Sequence, residues 1–246
     1  MRYFITFSYD GSNFCGYQRQ PRERTVQKVM EDALKEISGG DSVSVCASGR
    51  TDALVHAINQ KATFDLKKEI SPEKLYRALN SLLPDDVYVK KVQVVNDDFH
   101  ARFNAIGKEY IYKINMGEYD PIERNYCYQY CSKLDLAAME RGLKYLEGEH
   151  NFKSFTKSDD EIVDYVRKIS QTALDRDSKD INKITITFVG TGFLRYMVRN
   201  MVGLLIEIGE GKRKPEDIME ILRREDRTMA GKTAPACGLY LRNVFY

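Results

Sequence analysis

The chain has 246 residues and a mass of 28.4 kDa, with 43% hydrophobic and 30% charged residues, enough for two packed cores or one large one. Its 16 Tyr and 11 Phe on a net charge of +2 exclude the disordered class, and 38 Lys plus Arg against 36 Asp plus Glu deny it the global basic character of many nucleic-acid binders.

Tyr3, Ile5, Phe7 and Tyr9 alternate with Phe4, Thr6 and Ser8, the period of a first strand. A polar loop leads to a helix in which Val26, Val29, Met30, Ala33, Leu34 and Ile37 share a stripe, with Thr25 as N-cap and Gly39-Gly40 as its stop. Residues 42–47 and 61–66 read as the second and third strands. Ser71-Pro72-Glu73 opens a second helix with the stripe Leu75, Ala78, Leu79 and Leu82, and Pro84 ends it. Residues 87–95 are β-branched and apolar, a fourth strand. The order β-α-β-β-α-β is that of a ferredoxin-like unit.

The same order is expected a second time. Residues 106–115 alternate as a strand, and Asp135 caps a helix carrying Leu136, Met139, Leu143 and Leu146. Residues 165–175 form a weak strand candidate, and 183–189, with Ile184, Ile186 and Phe188 on one face, a better one. An apolar helix over roughly 193–208, another over 215–224 and a closing strand near 239–245 complete the count. The expected fold class is therefore α+β, two tandem ferredoxin-like or RRM-like halves with mainly antiparallel sheets. The expected halves are residues 1–105 and 106–246. Helices on one side of each sheet leave the other face free, a platform suited to a nucleic acid.

No apolar run approaches the length of a membrane span, and the first ten residues alternate instead of forming a signal-peptide core, so a cytoplasmic protein without a membrane partner is expected. Cys15, Cys46, Cys127, Cys131 and Cys237 are odd in number and scattered, which favours reduced thiols over a disulfide framework or a zinc site.

Three segments carry candidate chemistry. Ser48 to Ala57 joins Gly49, Arg50, Thr51 and Asp52 on a loop, where a nearby cation keeps a carboxylate ionised for work as nucleophile or base. Spacing alone also admits a capped turn with Arg50 as its ion pair. In Gly190 to Gly203, Phe193, Met197 and Met201 recur every four residues, and so do Arg195, Arg199 and Gly203. On a helix the arginines form a row that meets a phosphate, an internal acid such as Asp52, or solvent. Phe99-His100-Ala101-Arg102-Phe103 precedes Lys108, Tyr110 and Tyr112, whose tyrosines share one strand face and suit either base stacking or packing. His56, His100 and His150 form no triad or metal spacing, and the sequence lacks a complete Gly-x-Gly-x-x-Gly motif or P-loop, so no cofactor and no metal are expected.

In chain order, Tyr9-Asp10-Gly11 with Phe14, Gly16, Gln18 and Gln20, then Gly49-Arg50-Thr51-Asp52 with Val55-His56-Ala57, Phe99 to Phe103, Lys108 with Tyr110 and Tyr112, Gly192-Phe193-Leu194 with Met197-Val198-Arg199, and Thr233 to Ala236 with Gly238-Leu239 resemble the tRNA pseudouridine synthase A family. The resemblance implies the pseudouridine synthase fold and an isomerase that converts uridine to pseudouridine at positions 38, 39 and 40 of the tRNA anticodon stem-loop, without a cofactor, as a homodimer. It implies that Asp52 is catalytic, that Tyr110 stacks at the target base, that Arg199 pairs with the aspartate, and that Arg50 handles the RNA and the flipped base. A leucine, Leu54, stands where the family motif has glycine. If that glycine serves a positive backbone angle, Leu54 is expected to strain the loop or narrow the site. A divergent member acting on another RNA site, an RNA-binding protein without activity, and a metabolic enzyme on a ferredoxin-like scaffold, which has no cofactor or small-molecule motif behind it, are the other readings.

Residues 1–105 hold 15 basic and 14 acidic side chains and residues 106–246 hold 23 and 22, so neither half is a basic domain. RNA binding then requires local clustering, for which Arg19, Arg22 and Arg24, the Arg195 and Arg199 row, and Lys212-Arg213-Lys214 are the expected sites.

Overall fold

The computed structural model describes residues 1–157 and 164–246. They form two compact units, one of residues 1–106 with 240–246 and one of residues 107–239.

The first unit follows the expected element order: β1 (Arg2–Tyr9), α1 (Val26–Ile37), β2 (Cys46–Ala47), β3 (His56–Asp65), α2 (Pro72–Leu82) and β4 (Val87–Val95). β1 is central, antiparallel to β3 with Ile5 opposite Ala62 and to β4 with Ile5 opposite Val92. Its alternation does what the period demands: Tyr3, Ile5 and Phe7 are wholly buried, as are Met30 and Leu34 of α1 and Leu75 and Leu79 of α2. The Thr25 hydroxyl accepts the Lys28 amide proton at the start of α1. Gly39 and Gly40, both at positive φ, end the helix as expected. The buried Glu31 of α1 is satisfied at both oxygens, by the Val45 amide and Gln27 on one and Arg19 on the other. At α2, Ser71 stands at the cap position without a side-chain bond, so Pro72 alone marks the start, and Leu82 ends 38% exposed where the helix stops.

Two strand boundaries differ from the sequence reading. β2 shrinks to two residues, paired with Thr63 and Ala62, and β3 begins at His56, five residues before its expected start.

The second unit comprises β5 (Gly107–Asn115), β6 (Tyr128–Gln129), α3 (Leu136–Leu146), β7 (Gly148–Asn151), β8 (Val166–Arg176), β9 (Lys183–Gly190), α4 (Met197–Gly209) and α5 (Asp217–Arg224). Its strands run in the order β5-β9-β8-β7 with antiparallel neighbours, Tyr110 opposite Phe188 and Phe188 opposite Thr172. β6 lies parallel beside β5. β6 and β7, of two and four residues, are too short to show a period and were not expected. Asp135 caps α3 by accepting the Ala138 amide proton at 3.0 Å.

The closing strand β10 (Leu239–Phe245) does not stay with the second half, to which the sequence boundary at residue 106 assigns it. It pairs in parallel with β3, Tyr240 opposite His56 and Leu241 opposite Ala57. The physical reason is an open edge: β2 reaches only Ala62 and Thr63, which leaves the backbone of His56 and Ala57 to be satisfied by another strand. The class is mixed α+β with mainly antiparallel sheets, as expected. Among the described residues no helix is long and apolar enough to cross a membrane.

Candidate active site

In the first unit, Asp52 sits half-buried on the loop between β2 and β3, with Arg50, Ala53 and Leu54 exposed around it. The loop is held from both sides. The Tyr9 phenol and the Thr51 hydroxyl, both buried, lie 2.7 Å apart in a hydrogen bond. The Ser48 hydroxyl donates to Gln60 Oε1 at 2.7 Å, and Gln60 Nε2 donates to the Gly49 carbonyl at 3.0 Å. The Tyr17 amide donates to the Thr51 carbonyl and the Leu54 amide to the Phe14 carbonyl. Burial pushes the Tyr9 phenol up to about 12, so it stays protonated and keeps the bond to Thr51 throughout the neutral range.

The segment after β1 is the brace for this loop. A Cβ built on Gly11 would fall 2.2 Å from the Val55 carbonyl oxygen, a contact no side chain can make, so glycine is required there for the two segments to meet. The Gly11 amide donates to His56 Nδ1 at 3.0 Å, and the His56 ring stacks on Tyr240 with centroids 4.6 Å apart. Asp10 Oδ1 accepts the amide and hydroxyl protons of Ser12, which fixes the turn. The markers Tyr9, Asp10, Gly11 and His56 thus serve the geometry of the Asp52 loop.

Within that loop Leu54 has φ 66°, the left-handed region, and 47% of its surface is exposed. A positive angle is the condition under which the sequence reading expected strain from leucine at this position.

In the second unit, Tyr110 on β5 is 8% exposed and meets Phe193 edge to face, with centroids 5.1 Å apart. Tyr112, which the sequence offered as a second stacking residue, is wholly buried and donates its hydroxyl proton to the Pro235 carbonyl at 2.7 Å. Its role is packing, and burial pushes its phenol well above the ordinary value.

The arginine row does not exist as one helical face. α4 starts at Met197, not near residue 193, because Tyr196 takes a left-handed angle of φ 62° immediately before it. Arg195 therefore lies outside the helix and is exposed, whereas Arg199 lies in its first turn, half-buried. The two guanidinium groups lie 5.0 and 5.3 Å from the Tyr196 ring centroid, a cation–π arrangement that supplants the expected row.

Arg199 Nε donates to the Ala234 carbonyl at 2.8 Å, and the Ala234 amide donates to the Arg199 carbonyl at 3.0 Å. The neighbouring Thr233 hydroxyl donates to Asn200 Oδ1 at 2.6 Å, and Asn200 Nδ2 donates to the Phe155 carbonyl. The marker Thr233 to Ala236 is therefore the strap that fixes Arg199 on α4 and Tyr112 on β5. The sequence reading missed this anchoring role. Its signal was Gly203: a Cβ there would fall 1.7 Å from the Lys232 carbonyl oxygen, so the strap can cross α4 only over glycine.

The segment Phe99 to Phe103 forms a rigid knuckle in the first unit. His100 Nδ1 accepts the amide protons of Arg102 and Phe103, Ala101 is wholly buried, and Phe99 packs on Phe4. Among the described residues no group of three or more His, Cys, Asp or Glu side chains could hold a metal ion.

The family model described as tRNA pseudouridine synthase matches residues 5–104 and 143–246. The chain is 44% identical over 248 residues to "tRNA pseudouridine synthase A" of Limosilactobacillus reuteri (strain DSM 20016), covering 100% of this chain and 96% of that protein. It is 44% identical over 245 residues to the protein of that name from Lacticaseibacillus casei (strain BL23), covering 99% of each. Against the Geobacillus sp. (strain WCH70) protein of that name the identity is 46% over 242 residues, with 98% and 96% covered. With both matched regions spanning most of each unit, and with the Asp52 loop and its Gly11 brace inside the first of them, the chain belongs to the tRNA pseudouridine synthase family.

Proposed function

We propose that this protein converts uridine to pseudouridine at positions 38, 39 and 40 in the anticodon stem-loop of tRNA, with Asp52 as its catalytic residue. The observation that carries the reading is the Asp52 loop itself, a carboxylate on a partly exposed turn whose backbone is fixed by Thr51, Gly49 and Val55 contacts inside a segment the family model matches.

The reaction is an isomerisation and needs no co-reactant. The bond from N1 of uracil to the ribose breaks, the base turns, a bond from C5 to the same ribose carbon forms, and the proton leaving C5 is balanced by one gained at N1. Asp52 starts it, either by attack at the sugar or by removing a proton from it. The target base must leave its stack, which costs a few kcal/mol of unstacking, offset by contacts to the flipped base and its backbone. We assign Tyr110 to stacking at the target base and Arg50 to the RNA and the flipped base. Arg199 takes the role of orienting the catalytic carboxylate and favouring its ionised form. Arg50 is exposed and adjacent to the loop's anchored residues, which supports a contact with RNA. The working form is a homodimer in the cytoplasm. Light scattering at micromolar concentration reads the dimer, and the mass of a single chain would count against it.

Asp52→Asn is nearly isosteric, removes the charge and exchanges one carboxylate oxygen for an amide donor, so it can act neither as nucleophile nor as base. It is expected to bind tRNA within about threefold of the wild-type affinity and to form no pseudouridine. Appreciable pseudouridine from that variant would remove Asp52 from the chemistry. The exposed Leu54 beside Asp52 favours mapping the product at nucleotide resolution across total RNA, because a side chain at that point is placed to alter which uridine is accepted.

A further inference from the structure

The basic residues that cluster along the sequence are largely engaged inside the fold. Arg19 pairs with Glu31 at 2.9 Å, Arg24 with Asp86 through two bonds of 2.8 Å, Lys212 with Glu210 at 2.8 Å and Arg213 with Glu207 at 2.7 Å. A different set of cations, from two strands about 30 residues apart in sequence, is gathered by strand register in the first unit.

On β1, Tyr3, Ile5 and Phe7 point into the core, so Phe4, Thr6 and Ser8 belong to the other face of the sheet. Thr6 lies opposite Lys61 of β3 on one side and Lys91 of β4 on the other. The two lysines therefore flank Thr6 on that face, two strand spacings or about 10 Å apart. The register of β1 with β4 shifts between Thr6 and Phe7, and the extra residue is Lys90. Lys61 Nζ donates to Thr6 Oγ1 at 2.8 Å, and Lys90 Nζ donates to the Ile58 carbonyl at 2.7 Å. Among the described residues their hydrogen-bond partners are uncharged oxygens, Thr6 Oγ1 for Lys61 and the Ile58 carbonyl and Asn59 Oδ1 for Lys90, with no carboxylate among them. Burial, with the charges of Lys91 and Lys90, pulls the Lys61 ammonium below its ordinary pKa.

Like charges held together on a sheet face oppose folding, and an anion in contact with them relieves the repulsion. We propose that the Lys61, Lys90 and Lys91 face of the first unit binds the sugar–phosphate backbone of the RNA substrate, in the stem that flanks the loop presented to Asp52. The inference rests on the tRNA reading for the identity of that RNA. β3 leaves directly from the Asp52 loop at His56, and Lys61 stands five residues along it, about 17 Å away, within the length of a short stem. A second copy of the chain is the weaker occupant, because a two-fold contact through this patch would set lysine against lysine.

The test is tRNA binding by the full-length protein across a KCl series, with single-turnover rates at saturating tRNA. Replacing Lys61, Lys90 and Lys91 together by Ala is expected to weaken binding at least tenfold near 0.15 M salt. The slope of log K against log salt should fall by about 2 to 3, as loss of two or three phosphate contacts requires. The saturated rate should stay within twofold, and replacement of all three by Arg should restore affinity and slope. An affinity and slope unchanged in the Ala variant would overturn the proposal, as would a change in oligomeric mass with the slope intact. Should the triple variant unfold, Lys90→Ala with Lys91→Ala, both exposed positions, gives the same readout with a slope change of 1 to 2. The two readings fail separately: wild-type protein that binds RNA through these lysines yet forms no pseudouridine would overturn the tRNA reaction and leave the lysine face standing.

Discussion

Leu54 holds φ 66° on the loop that carries Asp52, with nearly half of its surface in solvent. For an L residue the left-handed region costs about 1–2 kcal/mol, and an exposed side chain returns little of it through packing. Leu54→Gly removes that strain but adds backbone freedom to the unfolded chain, a cost of about 0.5–1 kcal/mol, so a net stabilisation of about 0.5 kcal/mol is expected. Leu54→Val, β-branched and less tolerant of the angle, should destabilise by about 1 kcal/mol or more. Urea unfolding of the two variants checks both signs, and a loss of stability in the glycine variant would show that the leucine side chain has a compensating contact. The strained position is legible in the sequence, because a leucine where a motif carries glycine marks a backbone angle as well as an added side chain. Tyr196 gives no such warning: the carbonyl of Arg195 just before it accepts the Thr156 hydroxyl proton at 2.9 Å, a contact between residues far apart in sequence.

Among the elements, those whose apolar stripe carries its own end signal are legible in the sequence, and those whose ends a neighbour sets, such as the start of α4 and of β3, are not. β1, α1 and α3 each combine a full apolar stripe with a recognisable end, and local chemistry sets both. β10 was placed in the wrong unit because its partner is decided by the unpaired edge of β3, which depends on how far β2 extends. The site shows the same division. The Asp52 loop and its Gly11 brace lie in residues the sequence singled out, whereas the function of the Thr233 to Ala236 strap emerges only where it crosses α4. Gly203 is the point of crossing, and it supports a direct test. Gly203→Ala drives a methyl group into the Lys232 carbonyl, so the strap or the helix must move. A destabilisation of about 3 kcal/mol is expected, the upper range for overpacking. Because the strap carries the Ala234 carbonyl that holds Arg199, the rate of pseudouridine formation should also fall at temperatures where the variant remains folded. A variant that lost stability with its rate intact would separate the strap from the site.

For the whole molecule, near-neutral charge means that RNA affinity and stability depend on where the ionisable groups lie, and the tyrosines give this a measurable form. Tyr9, Tyr17 and Tyr112 are buried, and burial raises all three phenols, Tyr9 to about 12 and the others well above the ordinary value of 10. In the unfolded chain the same phenols ionise near pH 10. Above that pH the folded state binds more protons than the unfolded state, so stability falls as pH rises, by up to about 1.4 kcal/mol per pH unit for each such phenol. Below pH 10 both states are protonated and the three residues contribute no pH dependence. The three phenols therefore contribute nothing from neutral pH to about 10 and a steep loss above it, while the Cys127 thiol, which burial raises to about 12, starts the alkaline loss from about pH 8.5, where an unfolded thiol ionises. Absorbance at 295 nm reports phenolate directly. The phenols of these three should ionise only together with the loss of the circular dichroism signal. Ionisation of all 16 Tyr near pH 10 with the fold intact would contradict the burial of Tyr9 beneath the Asp52 loop, and with it the bond to Thr51 that holds the catalytic turn.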